Sequence, residues 1–427
     1  TTEMKHVYQN IKFTMTDKEK GELAVKNANY FTDLSKYEFK YEVTAAGEKV
    51  ARGKFTLKTP PQQTDTVKIK LPRIPASGRE YFLNISAIQK KAEELIPAGH
   101  EVASEQIPLT AIGTTFQIPL SGQPLKLAED NGAIKIKGNA FTLDIDKTSG
   151  VITSYKISGN EMIKDGYGPR PNYWRAPTDN DYGYKMPVLC KTWREASKTS
   201  LQARDMNIAQ TGDKIEITFN YQLHPSVSTY MTYRIYPSGY IEISMDTRAG
   251  EGTPFMPRAG LRMQLPGEYD NVEYFGRGPQ ENYPDRNTAS FVGKYTTKVD
   301  SMYVPHVRPQ ENGYRTDVRY LKLTDNKGRG IMITASRPIG FNTHKNTIED
   351  FDGGYFGEAD SSDPAKKNIE QKHTSDITPR DMVECCIDYK MTGIGGNDSW
   401  GALPEDKYIC RPAESGDTFT FIIAPTK

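Results

Sequence analysis

Apolar and polar residues alternate with a period of two along most of this chain. Tyr37-Glu-Phe-Lys-Tyr-Glu-Val43, Thr66-Val-Lys-Ile-Lys-Leu71 and Lys214-Ile-Glu-Ile-Thr-Phe219 each place apolar side chains on one face and mostly polar ones on the other. That is the pattern of a half-buried antiparallel strand. Turn residues punctuate it. Pro237-Ser-Gly239 separates Tyr233-Arg-Ile-Tyr236 from Tyr240-Ile-Glu-Ile-Ser-Met245, and Asp325-Asn-Lys-Gly328 separates Tyr320-Leu-Lys-Leu323 from Ile331-Met-Ile-Thr334, so both predict hairpins. No long stretch carries helical periodicity, and strands do not alternate regularly with helices, which argues against a TIM barrel or a Rossmann domain. The class predicted is all-β.

Strand patterns over residues 8–110 have the number and spacing of a small sandwich. Residues 109–124 then turn rich in Thr, Gly and Pro, with Ile112-Gly-Thr-Thr115 and Leu120-Ser-Gly-Gln-Pro124, and are the best linker candidate. Beyond them Ala133-Ile-Lys-Ile-Lys137 and Phe141-Thr-Leu-Asp-Ile145 read as a hairpin, and strands continue to Asp417-Thr-Phe-Thr-Phe-Ile-Ile423 without another break. Two domains are expected, 1–118 and 119–427, the second a single large sandwich. The acidic, Gly-, Asp- and Ser-rich stretch 348–370 reads as an exposed loop.

Composition narrows the function classes. With 55 Lys plus Arg against 54 Asp plus Glu, the formal net charge of +1 gives no field for nucleic acid or anionic lipid. No apolar run approaches the roughly 18 residues of a membrane span, so no membrane partner is expected. The 25 tyrosines, against 16 Phe and 3 Trp, suit many half-buried strands with polar-tipped aromatics. Cys190, Cys385, Cys386 and Cys410 have neither disulfide-framework nor zinc-site spacing and are expected to be buried free thiols. They leave the compartment, cytoplasmic or periplasmic, open. The Thr-Thr-Glu-Met start lacks a basic-then-apolar leader and reads as a processed or engineered end.

Four segments of the second part look like motifs rather than strands: Arg170-Pro-Asn-Tyr-Trp-Arg-Ala-Pro-Thr-Asp-Asn-Asp-Tyr-Gly183, Tyr274-Phe-Gly-Arg-Gly-Pro-Gln-Glu-Asn-Tyr-Pro-Asp-Arg286, Tyr303-Val-Pro-His-Val-Arg-Pro-Gln-Glu-Asn-Gly313 and Gly393-Ile-Gly-Gly-Asn-Asp-Ser-Trp-Gly401. Together and in this order they resemble the small-chain domain of long-form bacterial β-galactosidases of glycoside hydrolase family 2. Residues 1–110, with Ala98-Gly-His-Glu101 near their end, resemble the sandwich that precedes it. The resemblance implies an immunoglobulin-like sandwich followed by a galactose-mutarotase-like β-supersandwich. It also implies that the catalytic TIM barrel, with its acid/base and nucleophile glutamates, lies before this region and is absent from this chain. The Mg²⁺ and Na⁺ known for the family are implied to bind in that missing portion. The parent enzyme would hydrolyse terminal β-galactosides such as lactose and assemble as a homo-oligomer.

The residues themselves are weighed against that implication. A retaining glycosidase needs two carboxyl groups about 5–5.5 Å apart, and the nearest pairs in sequence are Glu281 with Asp285 and Asp179 with Asp181. The family places neither pair in a catalytic role, so no catalytic residue is assigned. Asp179-Asn-Asp181 has alternating oxygen donors that suit Ca²⁺ but lacks the longer ligand series, and an Asx-capped turn is preferred. Arg175 is expected to fix a long loop through charge-assisted bonds. The tetrapeptide Pro-Gln-Glu-Asn occurs at 279–282 and 309–312, where Glu281 and Glu311 are expected to pair with Arg286 and Arg315. The six histidines have no metal-ligand spacing; His306 and His344 remain candidates for mutarotase-type acid chemistry.

The fourth motif differs. Its glycines allow a tight projecting loop, and a tryptophan on such a loop either stacks on a pyranose face or folds back into a satellite core. In the family a tryptophan matching Trp400 forms a platform for the incoming sugar, which favours the first reading. Trp400, Asn397 and Asp398 are therefore the expected substrate-binding residues, the last two shaping the loop. The chain alone is expected to be inactive and to bind sugar weakly, because a single stacking platform gives little affinity. The alternatives are a stand-alone carbohydrate-binding module and an aldose epimerase.

Overall fold

The computed structural model describes residues 2–75, 78–113, 116–120, 122–352, 373–398, 400–412 and 418–426. The stretch 353–370 of the expected exposed loop, and Thr114 and Thr115 of the linker candidate, lie outside the described residues. The chain forms two compact units: Thr1–Thr115 with Arg277–Pro279 and Arg286–Lys294, and Phe116–Gly276 with Gln280–Asp285 and Tyr295–Lys427.

The first unit opens with a short helix, α1 (Thr2–Val7), and continues with β1 (Ile11–Asp17), β2 (Glu22–Asn27), β3 (Tyr37–Ala45), β4 (Glu48–Phe55), β5 (Thr64–Lys68), β6 (Tyr81–Gln89) and β7 (Glu101–Pro108). A three-stranded sheet in the order β1-β2-β5 and a four-stranded sheet in the order β4-β3-β6-β7 make an immunoglobulin-like sandwich. Alternate residues of both sheets point inward, and Phe13, Leu23, Val25, Phe39, Val43 and Leu83 meet in one core. The segment Arg286–Lys294 is bonded into this unit. The Glu3 carboxylate accepts from the amides of Thr288 and Ala289, each at 2.9 Å, and the Gln106 side chain accepts from the Val292 amide at 2.7 Å and donates to its carbonyl at 2.9 Å.

The strands that follow in the chain are β8 (Lys126–Glu129), β9 (Ala133–Lys137), β10 (Phe141–Asp146), β11 (Ile152–Ile157), β12 (Asn160–Glu161), β13 (Arg170–Asn172), β14 (Asp205–Thr211), β15 (Lys214–His224), β16 (Val227–Ile235), β17 (Ile241–Ala249), β18 (Arg258–Pro266), β19 (Asn271–Gly278), β20 (Phe291–Lys298), β21 (Arg315–Thr324), β22 (Gly330–His344), β23 (Met382–Met391) and β24 (Thr418–Pro425), all of the second unit except the end of β19 from Arg277 and the start of β20 up to Lys294. β12-β11-β10-β9-β8 form a five-stranded sheet, and the path β13-β18-β23-β22-β24-β17-β16-β15-β14 runs through a twelve-stranded sheet that also takes in β19, β20 and β21. Both sheets feed one core that includes Ile136, Leu143, Phe219, Tyr233, Ile333 and Phe421. The two expected hairpins are present, closed by the pairs Ile235↔Ile241 and Thr324↔Gly330.

Burial divides the large sheet. β15 and β16 alternate residue by residue between buried and half-buried positions, as strands with one solvent-facing side must. β18 and β23, side by side, are buried on both faces over most of their length. Charged residues on them are internal and therefore paired. The Arg258 guanidinium donates to Asp388 at 2.6 Å, and Arg262 lies 3.2 Å from Glu384.

Among the described residues of the second unit four short helices interrupt the strands: α2 (Asp179–Gly183), α3 (Met186–Leu189), α4 (Lys191–Lys198), which buries Trp193 and Ala196, and α5 (Ile348–Phe351), whose buried Ile348 and Phe351 correct the exposed-loop expectation at the start of 348–370. The first of them, α2, corrects the Asx-turn expectation for Asp179-Asn-Asp181. Those residues open α2, with Thr178 as N-cap in a reciprocal capping box with Asp181. The four cysteines are free and buried. No helix among the described residues is long and apolar enough to cross a membrane.

Candidate functional site

The loop 393–401 leaves the end of β23 and carries its aromatic outward. Trp400 is 92 % exposed, whereas Trp174 and Trp193 are 2 % and 0 % exposed. It does not fold back into a satellite core. The tip is closed by Asp398, whose carboxylate accepts from the Trp400 amide at 2.8 Å and the Ala402 amide at 3.1 Å. Those backbone N–H groups, Trp400 first, hold the Asp398 carboxyl below the usual carboxylate range. Asn397 is exposed beside it. Ser399 lies outside the described residues.

The base of the loop is gripped. Arg175, fully buried, donates to the carbonyls of Thr392 and Gly393, the latter at 3.0 Å. Its other donors meet Asp181 at 3.0 and 2.7 Å, and the Asp181 carboxylate also accepts from the Thr178 amide at 2.9 Å and the Tyr184 hydroxyl at 2.5 Å. Burial works against the charge on Arg175, but Asp181 outweighs it and keeps the guanidinium a cation. The expected loop-fixing role of Arg175 is thus the observed one. Asn180, on α2, donates to the Ile394 carbonyl at 3.1 Å, and Asp285, from the second motif, accepts from the amides of Ile394 and Gly395 at 3.0 and 2.8 Å. A Cβ on Gly393 would stand 2.6 Å from the Asp285 carboxyl carbon, so only glycine lets that carboxylate approach. The return leg rests on α2: Gly401, at φ +89°, has no room for a Cβ, which would come 2.4 Å from the Gly183 carbonyl oxygen.

Because α2 bears on both legs of the loop, its cap matters. Replacing Thr178 with alanine removes the hydroxyl that accepts from the Asp181 amide and is expected to lower stability by about 1 kcal/mol, with serine restoring most of it. Chemical denaturation of the three proteins measures this; equal midpoints for alanine and threonine would contradict it.

The carboxylates considered as catalytic pairs have other partners. Asp181 is bound to Arg175, and Asp179 accepts from the Gln310 amide at 3.0 Å. Glu281 accepts from the Gly313 amide at 3.0 Å and lies 3.4 Å from His306. The expectation for Glu311 is corrected: it is buried against Arg258 at 3.6 Å and accepts from Asn342 at 2.6 Å, while Arg315 donates to the Tyr274 hydroxyl and to nearby carbonyls. β18 brings Arg258 into the interior beneath the Pro-Gln-Glu-Asn loop, a tertiary approach that sequence spacing does not encode. His344 is buried, with Nε2 3.0 Å from the Asn312 carbonyl. Among the described residues no group of three His, Cys, Asp or Glu is placed to hold a metal.

Sequence reasoning missed Asn180 and Asp285 as partners of the tryptophan loop. Both sit inside segments already singled out as motifs, which was the available signal.

Both units are all-β modules, and the chain carries the four motifs in order. The chain belongs to the β-galactosidase small-chain family. Residues 137–423 match the family described as "Beta galactosidase small chain", and residues 23–110 match "Beta-galactosidase, domain 4". A β-galactosidase of Priestia megaterium is 30% identical over 99% of this chain, and one of Streptococcus thermophilus is 27% identical over 99%. The chain spans 39% of the length of each of these relatives. Among solved structures, a galactose 1-epimerase from Lactobacillus acidophilus NCFM covers 71% of the chain at 7% identity and a TM-score of 0.35, a likeness too weak to bear on function.

Proposed function

We propose that this chain is the C-terminal, non-catalytic portion of a β-galactosidase that hydrolyses terminal β-D-galactosides such as lactose. The catalytic carboxylates, and the ligands of the Mg²⁺ and Na⁺ the family uses, belong to the part of the relatives that this chain does not span. This portion supplies an aromatic platform at Trp400, on a loop shaped by Asn397 and Asp398, together with surfaces for assembly into a homo-oligomer. The observation that supports the platform is the 92 % exposure of Trp400 above a loop base held by buried groups. A large aromatic kept in water on a braced loop offers its face to a partner, and a pyranose C–H face with a nearby hydroxyl for the indole N–H suits it.

The test is nitrophenyl-galactoside hydrolysis by the isolated chain and by the full-length enzyme with and without Trp400→Ala. The isolated chain should not exceed the blank. In the full enzyme the substitution should raise KM by about tenfold, the equivalent of a lost stacking contact near 1.4 kcal/mol, and leave the melting temperature unchanged. A sharp fall in melting temperature with unaltered kinetics per folded molecule would make Trp400 a structural residue instead. Mutarotation of galactose by the isolated chain, abolished by His306→Asn, would move the chemistry to the His306–Glu281 pair.

A further inference from the structure

The platform reading leaves open what fixes the tryptophan in space. The outbound leg of its loop is held by groups of opposite polarity. Arg175 and Asn180 take the carbonyls of Thr392, Gly393 and Ile394, and Asp285 takes the amides of Ile394 and Gly395. Beyond Gly395 the backbone turns out into solvent. Asp285 thus holds two consecutive amides of the outbound leg just before the loop becomes free. It is carried on a firm post: Tyr283, two residues earlier, is buried and stacks on Tyr314 at 5.7 Å and 16°, and both pack with Met391 and Ile394. The loop residue that Asp285 binds through its amide therefore has its side chain locked into the same cluster.

We infer that Asp285 is a positioning residue for the sugar platform: by accepting from the Ile394 and Gly395 amides, it fixes the loop that presents Trp400. This rests on the platform reading of Trp400. The mechanism is geometric. An ionised carboxylate binds two consecutive amides at once. Asparagine offers one acceptor oxygen to the same pair, and alanine offers none. Losing that hold lets the outbound leg shift while Asp398 still closes the tip, so the indole moves as a unit with the tip. An aromatic displaced by an ångström or more no longer matches a sugar seated by the rest of a pocket.

The full-length enzyme tests this with Trp400→Ala, Asp285→Asn, Asp285→Ala and the double Trp400→Ala/Asp285→Ala. We expect Asp285→Ala to raise KM by about three- to tenfold with kcat within about twofold of the parent. Asparagine should fall between, and the double should be no worse than Trp400→Ala alone, because Asp285 acts through the tryptophan. A second readout is independent of activity. In this chain Trp174 and Trp193 are buried, so the acrylamide-quenchable tryptophan signal belongs to Trp400. Its anisotropy, measured on this chain, should fall in Asp285→Ala.

An effect of Trp400→Ala on KM without one of Asp285→Ala overturns the positioning role and leaves the platform intact. If Trp400→Ala itself leaves KM unchanged, the platform reading fails. The anisotropy then decides the loop alone: a fall upholds the hold of Asp285 on the tryptophan, and no change overturns it. Should Asp285→Ala fail to fold, Asp285→Asn and Gly393→Ala, which crowds the carboxylate off its amides, carry the same comparison.

Discussion

Replacing Arg175 with alanine is expected to destabilise the second unit by about 3–5 kcal/mol, the cost of stranding one partner of a buried ion pair. Both side chains, Arg175 and Asp181, are fully shielded from solvent. The alanine variant leaves the Asp181 carboxylate without its counter-ion and removes the donor to the carbonyls of Thr392 and Gly393. Lysine should recover little, because a point ammonium on a flexible stem cannot serve a carboxylate and two carbonyls in the fixed fork that guanidinium provides. Replacing both partners, Arg175→Met with Asp181→Asn, should cost less than Arg175→Ala, since no charge is then left buried alone. Urea titrations followed by tryptophan fluorescence read all four proteins. A loss below about 1 kcal/mol for Arg175→Ala would show that water reaches Asp181 and that the pair is not sealed.

The second large effect is a dependence on pH hidden by two opposing groups. Burial pulls the His344 imidazole from 6.5 down to about 4, and burial pushes the Glu311 carboxyl from 4.5 up to about 7 against the pull of Arg258 and Arg175. Between about pH 6.5 and 4 the unfolded chain takes up a proton that folded His344 refuses, so this histidine makes stability fall as pH falls. From 4.5 to about 7 folded Glu311 keeps a proton that the unfolded chain sheds, so this glutamate makes stability fall as pH rises. A tenfold change in proton affinity is worth about 1.4 kcal/mol, so each group contributes on the order of 3 kcal/mol across its window. In the parent the two slopes offset each other between pH 4.5 and 6.5. His344→Gln should expose the glutamate's slope, with melting temperature falling as pH rises from 4.5 to 7. Glu311→Gln should expose the histidine's slope, with the opposite trend. Profiles for both variants that parallel the parent would rule out the offset.

How much of this was legible in the sequence depends on whether the signal is local. The hairpins at Pro237-Ser-Gly239 and Asp325-Asn-Lys-Gly328 were, because turn chemistry and alternation lie within a few residues of each other. The tryptophan loop was legible as a tight loop, as glycines and aromatic are contiguous in sequence, but that Trp400 turns outward rather than back into a satellite core was favoured only through the family resemblance. The interior charges were not. β18 and β23 are covered on both faces, so alternation no longer marks a solvent side, and Arg258, Arg262, Glu384 and Asp388 look like surface residues in sequence yet are buried. The start of α2 resembles an Asx turn in sequence because a five-residue helix shows no period and a capping aspartate suits either. Asp285 and Ile394 are 109 residues apart, and only the fold makes them neighbours.

The position of β24 has a consequence for how the protein is made. Thr418–Pro425 is the latest strand in the sequence, yet it lies inside the large sheet, pairing with β17 on one side and β22 on the other. During synthesis β14 to β17 can assemble as a meander as they emerge, and so can β21 with β22, but the strand that joins these two groups has not yet been translated. The nascent unit must therefore wait with two open sheet edges, which invite pairing with other chains. A stop codon placed only a few residues upstream of Thr418 would leave those edges permanently exposed, and its product should go to chaperones or aggregates while every residue of the tryptophan loop remains intact.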